Sequence, residues 1–227
     1  NGWKMKKNTI WCWVIGVGCW LMASCNSTPE NVSKVDQLPN IYPDYIGVTI
    51  PAEMAPLNFD CPDADCVDVV VKGSKGGELH VQGDYADFDI ADWHELTQQN
   101  KGGQLTFTVC TRKDGQWQQY NNFTVNVSTY ALDEWGLTYR RIAPGYEVFS
   151  KMGLYQRDLA TFDEYPIIEN TQVPGMCVNC HSARQPDPSK FVFHVRGDQV
   201  ATMFQIDGKR EWLKASNEQL GGSMVYP

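Results

Sequence analysis

The chain has 227 residues, 42% of them hydrophobic and 12% aromatic, with 27 acidic against 19 basic side chains and a formal net charge of -8. That much apolar material can bury one larger core or two small ones. The acidic balance argues against a nucleic-acid binder, whose phosphate contacts demand clustered Lys and Arg.

At the N-terminus, Met5-Lys6-Lys7-Asn8 forms a short positive n-region, and Thr9 to Leu21 an apolar stretch too short to span a bilayer. Residues 5–24 are therefore read as an export signal, with 1–4 a non-native leader ahead of a start at Met5. Leu21-Met22-Ala23-Ser24-Cys25 resembles the lipobox of bacterial lipoproteins, a family in which that cysteine becomes the lipidated N-terminus. The resemblance implies lipidation of Cys25, a membrane held through this N-terminal anchor, and a folded part in the cell envelope, on the periplasmic side. An ordinary cleaved secretory signal is the alternative. Residues 25–40, polar and carrying Pro29 and Pro39, read as a tether.

From 41 to 130 the pattern is of short extended runs with turn punctuation. Tyr45 to Ile50 alternates, Val67 to Val71 is β-branched, and Glu78-Leu79-His80-Val81 follows a Gly-Gly turn. Leu105 to Thr111 places Leu105, Phe107 and Val109 on one face, and Asp114-Gly115 turns the chain toward Trp117, Tyr120 and Phe123 to Val127. This spacing predicts an antiparallel β-sandwich of immunoglobulin-like type in a mainly β chain. One helix is predicted near Ala91 to Asn100, stopped by Gly102 and Gly103, with His94 solvated on it. Asp60, Asp63, Asp65 and Asp68 lack the glycine and terminal Glu of an EF-hand and read as a solvated acidic turn.

Between 131 and 189 the period is lost. Met152, Tyr155, Leu159 and Phe162 recur at nearly helical spacing, and the stretch is expected to wrap irregularly. It leads to Cys177-Val178-Asn179-Cys180-His181, two thiols three apart followed at once by histidine, which is the c-type haem attachment pattern. Each thiol can add across one haem vinyl group, and His181 is then placed to ligate the iron from the proximal side. A redox dithiol, a disulfide or half of a zinc site are the other uses of such a pair. With turn residues on both sides, the pentad is expected on a loop.

The distal ligand is less defined. Phe191 to Arg196 reads as a strand with Val192, His194 and Arg196 on one face, which makes His194 the nearest second imidazole. A strand histidine satisfied by a hydrogen bond is the competing reading. Met152, Met203 and Met224 are further candidates, Met176 is poorly placed, and Arg184 or Arg196 could pair with haem propionates.

The eight cysteines divide by role: Cys12 and Cys19 in the signal, Cys25 for lipid, Cys177 and Cys180 for haem. Cys61, Cys66 and Cys110 remain. The tight Cys61 to Cys66 loop is the simplest disulfide, with a bridge involving Cys110 as the alternative.

Ile41-Tyr42-Pro43-Asp44-Tyr45-Ile46-Gly47, Tyr139-Arg140-Arg141-Ile142-Ala143-Pro144-Gly145-Tyr146, the pentad itself and Phe193-His194-Val195-Arg196-Gly197 together resemble one family. It is the group of envelope lipoproteins with a TolB-like β-propeller, often labelled cytochrome c biosynthesis proteins. The resemblance implies a β-rich N-terminal region and a pentad leading into a propeller. Residues 190–227 would then be the first strands of a truncated propeller.

Two functional classes follow. One is a lipid-anchored c-type haem protein of the envelope, in electron transfer or haem sensing, with an unidentified redox or envelope partner. The other is a non-haem envelope scaffold whose CxxC is a disulfide or redox dithiol. No Gly-x-Ser-x-Gly, His-Glu-x-x-His or phosphate loop is present to suggest an enzyme. The four sequons, at Asn26, Asn31, Asn122 and Asn126, are read as coincidental beside a bacterial lipobox.

Overall fold

The computed structural model describes residues 29–132, 136–142, 151–172, 175–184, 190–197 and 200–213. The signal, the lipobox with Cys25, and Met224 lie outside them. The fold is mainly β. In chain order the first unit comprises β1 (Ser33–Lys34), β2 (Thr49–Ala52), β3 (Cys66–Gly73), β4 (Glu78–Gly83), α1 (Ile90–Gln99), β5 (Gln104–Lys113), β6 (Gln116–Gln119) and β7 (Phe123–Ala131).

Alternation decides which faces these strands bury. Val67, Val69 and Val71 of β3, Leu105, Phe107 and Val109 of β5, and Phe123, Val125 and Val127 of β7 all point into one core. Phe107 stacks on Phe123 with ring centroids 4.7 Å apart. The strands join in a seven-stranded sheet, β1-β6-β5-β3-β4, in which β7 also pairs with β5 and carries β2. The long β5 pairs through Gln104 to Phe107 with β7 and through Cys110 to Lys113 with β6. The strands expected to form two facing sheets of an immunoglobulin-like sandwich are thus joined in one hydrogen-bonded sheet. Its inner face is covered by α1 and by the segments carrying Ile41, Leu57, Phe59, Ala86 and Phe88.

Helix α1 matches its expected place. Asp89 caps it, accepting from the backbone N–H groups of Ala91 at 2.8 Å and Asp92 at 3.1 Å. Trp93, Leu96 and Thr97 bury one stripe. His94 is not simply solvated, because its Nε2 lies 3.0 Å from the carbonyl of Ala160, in the connection after the next sheet's central strand. The expected tether also differs. Residues from Ser33 onward are docked, with β1 parallel to β6 and Val35 N–H donating to the Gln119 carbonyl at 3.0 Å.

The remainder holds two antiparallel sheets. β8 (Leu137–Arg141), β9 (Gly153–Arg157) and β10 (Glu164–Glu169) form one, with β9 central. The near-helical spacing of Met152, Tyr155, Leu159 and Phe162 therefore does not yield a helix. Leu154 is buried in a core while Tyr155 stacks against Tyr139 of β8, and Leu159 and Phe162 lie in the connection to β10. Hydrogen bonding on both edges of β9 overrides a weak 3.6-residue period.

The last sheet is a meander in sequence order: β11 (Cys177–Ala183), β12 (Phe191–Arg196), β13 (Ala201–Ile206) and β14 (Lys209–Leu213). Leu154 and Ile168 of the preceding sheet pack with Met176, Val178, Phe191, Phe193, Val195 and Met203 to form a second core. No helix among the described residues is long and apolar enough to cross a membrane.

Candidate functional site at the CxxCH strand

The pentad lies on a strand, not on the expected loop: Cys177 opens β11 and pairs antiparallel with Arg196 at the end of β12. The close of this sheet is tight. A Cβ on Gly197, whose φ is +123°, would stand 2.2 Å from the carbonyl oxygen of Gly175, so glycine is what lets β12 end beside the residue leading into Cys177.

Register fixes the rest. Val178 faces Val195 and Asn179 faces His194, but the next pairs are Ser182 with Val192 and Ala183 with Phe191. Cys180 and His181 therefore share one position opposite Phe193, which makes a β-bulge inside the motif. Cys180 adopts φ +52° to build it. Left-handed backbone costs a residue with a Cβ about 1–2 kcal/mol and is relieved by glycine. Asn31, Glu53, Asp114 and Asp207 also have positive φ; Asp114 and Asp207 sit in hairpin turns followed by glycine. A strained residue with reactive chemistry is a reason to look for function there.

Both thiols are free and partly exposed, whereas Cys61 and Cys110 are free and buried. Burial and the neighbouring Asp60 push the Cys61 thiol up to about 12, and burial with Asp68 pushes Cys110 up to about 11. Cys66 is in a disulfide and Cys61 is not, so the expected Cys61 to Cys66 bridge is not formed. The reason is visible in the secondary structure: Cys61 points into the main core, while Cys66 begins β3 and packs with Cys110 and Trp117 in a separate cluster.

Around the pentad, Arg140 of β8 brings Nη2 to 3.3 Å from Met152 Sδ and 3.8 Å from Cys177 Sγ. Its Nε is buried without a hydrogen-bond partner. His181 is half-buried, with Nε2 3.4 Å from the Thr138 carbonyl and its ring 6.1 Å from that of Phe191. Cys177 and His181 thus both meet β8, at the seam between the two C-terminal sheets. Tyr139-Arg140-Arg141 carries no periodic signal that would have marked Arg140 or Thr138 as neighbours of the cysteines.

His194 is differently placed. It is buried, and Nδ1 lies 2.9 Å from Thr202 Oγ1. Burial lowers its pKa below the ordinary histidine value, and the Arg196 cation adds to this. It shares a face with Thr202, opposite to the face of Phe191 and Phe193, so the structure does not bring it to His181. Met152, Met176 and Met203 are core residues, and Arg184 and Arg196 are exposed.

The residues that would hold a covalent haem are thus two free, partly exposed thiols and an imidazole with one 3.4 Å contact. Cys177 and Cys180 are both free and so are not joined in a disulfide. No three His, Cys, Asp or Glu side chains among the described residues converge as a metal site, and Asp68 of the acidic turn is instead buried and bonded to His80 at 2.8 Å.

The chain matches no family model and no curated protein.

Proposed function

We propose that the chain is an exported, lipid-anchored c-type haem protein of the bacterial cell envelope, working in electron transfer or haem-based sensing. The observation that carries the reading is the pentad itself, with both thiols unpaired and reachable and the adjoining imidazole only weakly engaged. Cys177 and Cys180 would hold the haem covalently, each adding its S–H across one vinyl group, with the proton going to the neighbouring vinyl carbon, and His181 would supply the imidazole for the iron. Haem held there would supply one-electron transfer or small-ligand binding.

The chain has four histidines. Of the three besides His181, His80 is bonded to Asp68, His94 to Ala160 and His194 to Thr202. Each of these three imidazoles is thus engaged within the fold.

Kinship with the TolB-like propeller lipoproteins belongs to the same proposal. It is supported by the sequential four-stranded meander β11 to β14, which is the unit from which propeller blades are built. On this reading the first blade starts at Cys177 rather than near residue 190.

The test is a haem stain after denaturing electrophoresis of protein exported in cells that carry c-type maturation machinery. A stained band that disappears in Cys177→Ala/Cys180→Ala supports the proposal. Folded, exported and unstained protein sinks it and leaves the scaffold reading.

A further inference from the structure

A second site lies in the first unit, independent of the pentad. Tyr42 bridges antiparallel to Asp60, and Phe59 to Ala86, so three chain segments run side by side. They bound a groove of about 380 Å³ lined by Tyr42, Asn58, Phe59, Asp60, Asp84 and Tyr85. The two tyrosines are the large apolar groups it shows to solvent, 72% and 50% exposed. Single exposed aromatics need no explanation, but two lining one groove do.

The polar groups of the groove are not equivalent. Asn58 is engaged within the fold: Nδ2 donates to Asp87 Oδ1 at 2.8 Å, and Oδ1 accepts from the Phe88 N–H at 3.0 Å. Tyr85 donates its hydroxyl to Asp87 Oδ2 at 3.3 Å, so its ring is braced by the same carboxylate. That carboxylate also holds the phenol above its ordinary pKa, keeping it protonated and neutral. Asp60 and Asp84, by contrast, are exposed, and neither side chain has a hydrogen-bond or ion-pair partner among the described residues. The groove therefore presents two free carboxylates and aromatic faces, and no lysine or arginine lines it. Carboxylates accept and do not donate, and an aromatic face is negative, so all these groups favour one ligand chemistry.

We propose that this groove binds a guanidinium group, presented as an arginine side chain of a partner peptide. A planar guanidinium stacks on tyrosine and offers paired N–H donors to carboxylates, which a compact ammonium does less well. Docking it needs no rearrangement of Tyr85, whose position the Asp87 and Asn58 bonds already fix.

The experiment titrates the full chain, uniformly labelled with ¹⁵N, with a capped Gly-Arg-Gly peptide, with its citrulline counterpart, and with Gly-Lys-Gly. Saturable shifts at the groove are expected for the arginine peptide, weakening with added salt. Affinity should be roughly tenfold lower for the neutral, similarly shaped citrulline peptide, and for Asp84→Asn or Tyr85→Ala, as for loss of one charge-assisted or cation–π contact. Three results would each overturn the proposal: no saturation at millimolar arginine peptide, equal binding of the citrulline or lysine peptide, or unchanged affinity in Asp60→Asn/Asp84→Asn. The exposed position of all three side chains keeps the variants folded, and the same spectra check it.

Discussion

Replacing Cys180 with glycine separates the chemistry of that position from its backbone. At φ +52° the Cβ of Cys180 costs about 1–2 kcal/mol. Glycine removes this cost but loses about 0.5–1 kcal/mol through the greater freedom of the unfolded chain. Cys180→Gly is therefore expected to be as stable as the parent or up to about 1.5 kcal/mol more stable. Cys180→Ala keeps the Cβ and its strain while losing the packing of a partly exposed sulfur, so it should fall slightly below the parent. The decisive quantity is the difference between the two variants, about 1 kcal/mol in favour of glycine. In a chain of this length that corresponds to a shift in Tm of roughly 2–4 °C. Urea unfolding of the three proteins at fixed pH measures it, with equal slopes confirming that the same surface unfolds. On the proposed haem attachment, both variants should retain haem through Cys177 alone, with a correspondingly shifted α-band in the pyridine haemochrome spectrum. Alanine as stable as glycine, or more so, would refute the left-handed bulge as the geometry of the motif.

Two further predictions concern titrating groups. In native protein without haem at pH 8, iodoacetamide should alkylate Cys177 and Cys180 and spare Cys61 and Cys110, whose burial holds their thiols near 12 and 11. Peptide mass spectrometry reads this out directly, and rapid native labelling of Cys61 would contradict its buried placement. His194 has a lowered pKa in the fold, so between its folded and unfolded values the unfolded chain binds more protons and stability declines as pH falls below about 6.5. His194→Gln should flatten the stability profile between about pH 7 and 5.5; identical slopes in parent and variant would show that His194 does not remain neutral in the folded protein.

What could be read in advance followed strong local patterns. The alternating valines and aromatics of β3, β5 and β7, the Asp114-Gly115 turn, the helix stopped by Gly102 and Gly103 and the face assignment of Phe191 to Arg196 are all written in short windows of sequence. The joining of the first-unit strands into a single sheet is not, because alternation names the buried face without naming what covers it. The 131–189 region was opaque for a related reason: β8, β9 and β10 gain their order by pairing with one another, and Gly153 or Pro166 taken alone argues against a strand. At the site, the identity of the reactive side chains was legible in five residues. Their setting was not, since Arg140 and Thr138 reach the pentad across some forty residues of chain.

The local violations of the fold bear on where its function lies. Arg140 Nε is buried without a partner, a deficit of about 1–3 kcal/mol for an unsatisfied polar group, more where the group is charged. Cys180 carries about 1–2 kcal/mol of backbone strain. These defects flank the same motif: Arg140 touches Cys177 at one end, and Cys180 bends the strand at the other. Left-handed backbone at a residue with a Cβ also occurs at Asn31 and Glu53, whereas in both hairpin turns a glycine follows the left-handed residue. Proteins break such rules at the sites where they work, because the selected chemistry outweighs the local loss. A structural dithiol needs neither a left-handed cysteine nor a guanidinium against a thiol. A pair of thiols that must stand apart, unpaired and reachable, beside an imidazole that can turn outward, is better served by a bulged strand at the seam of two sheets.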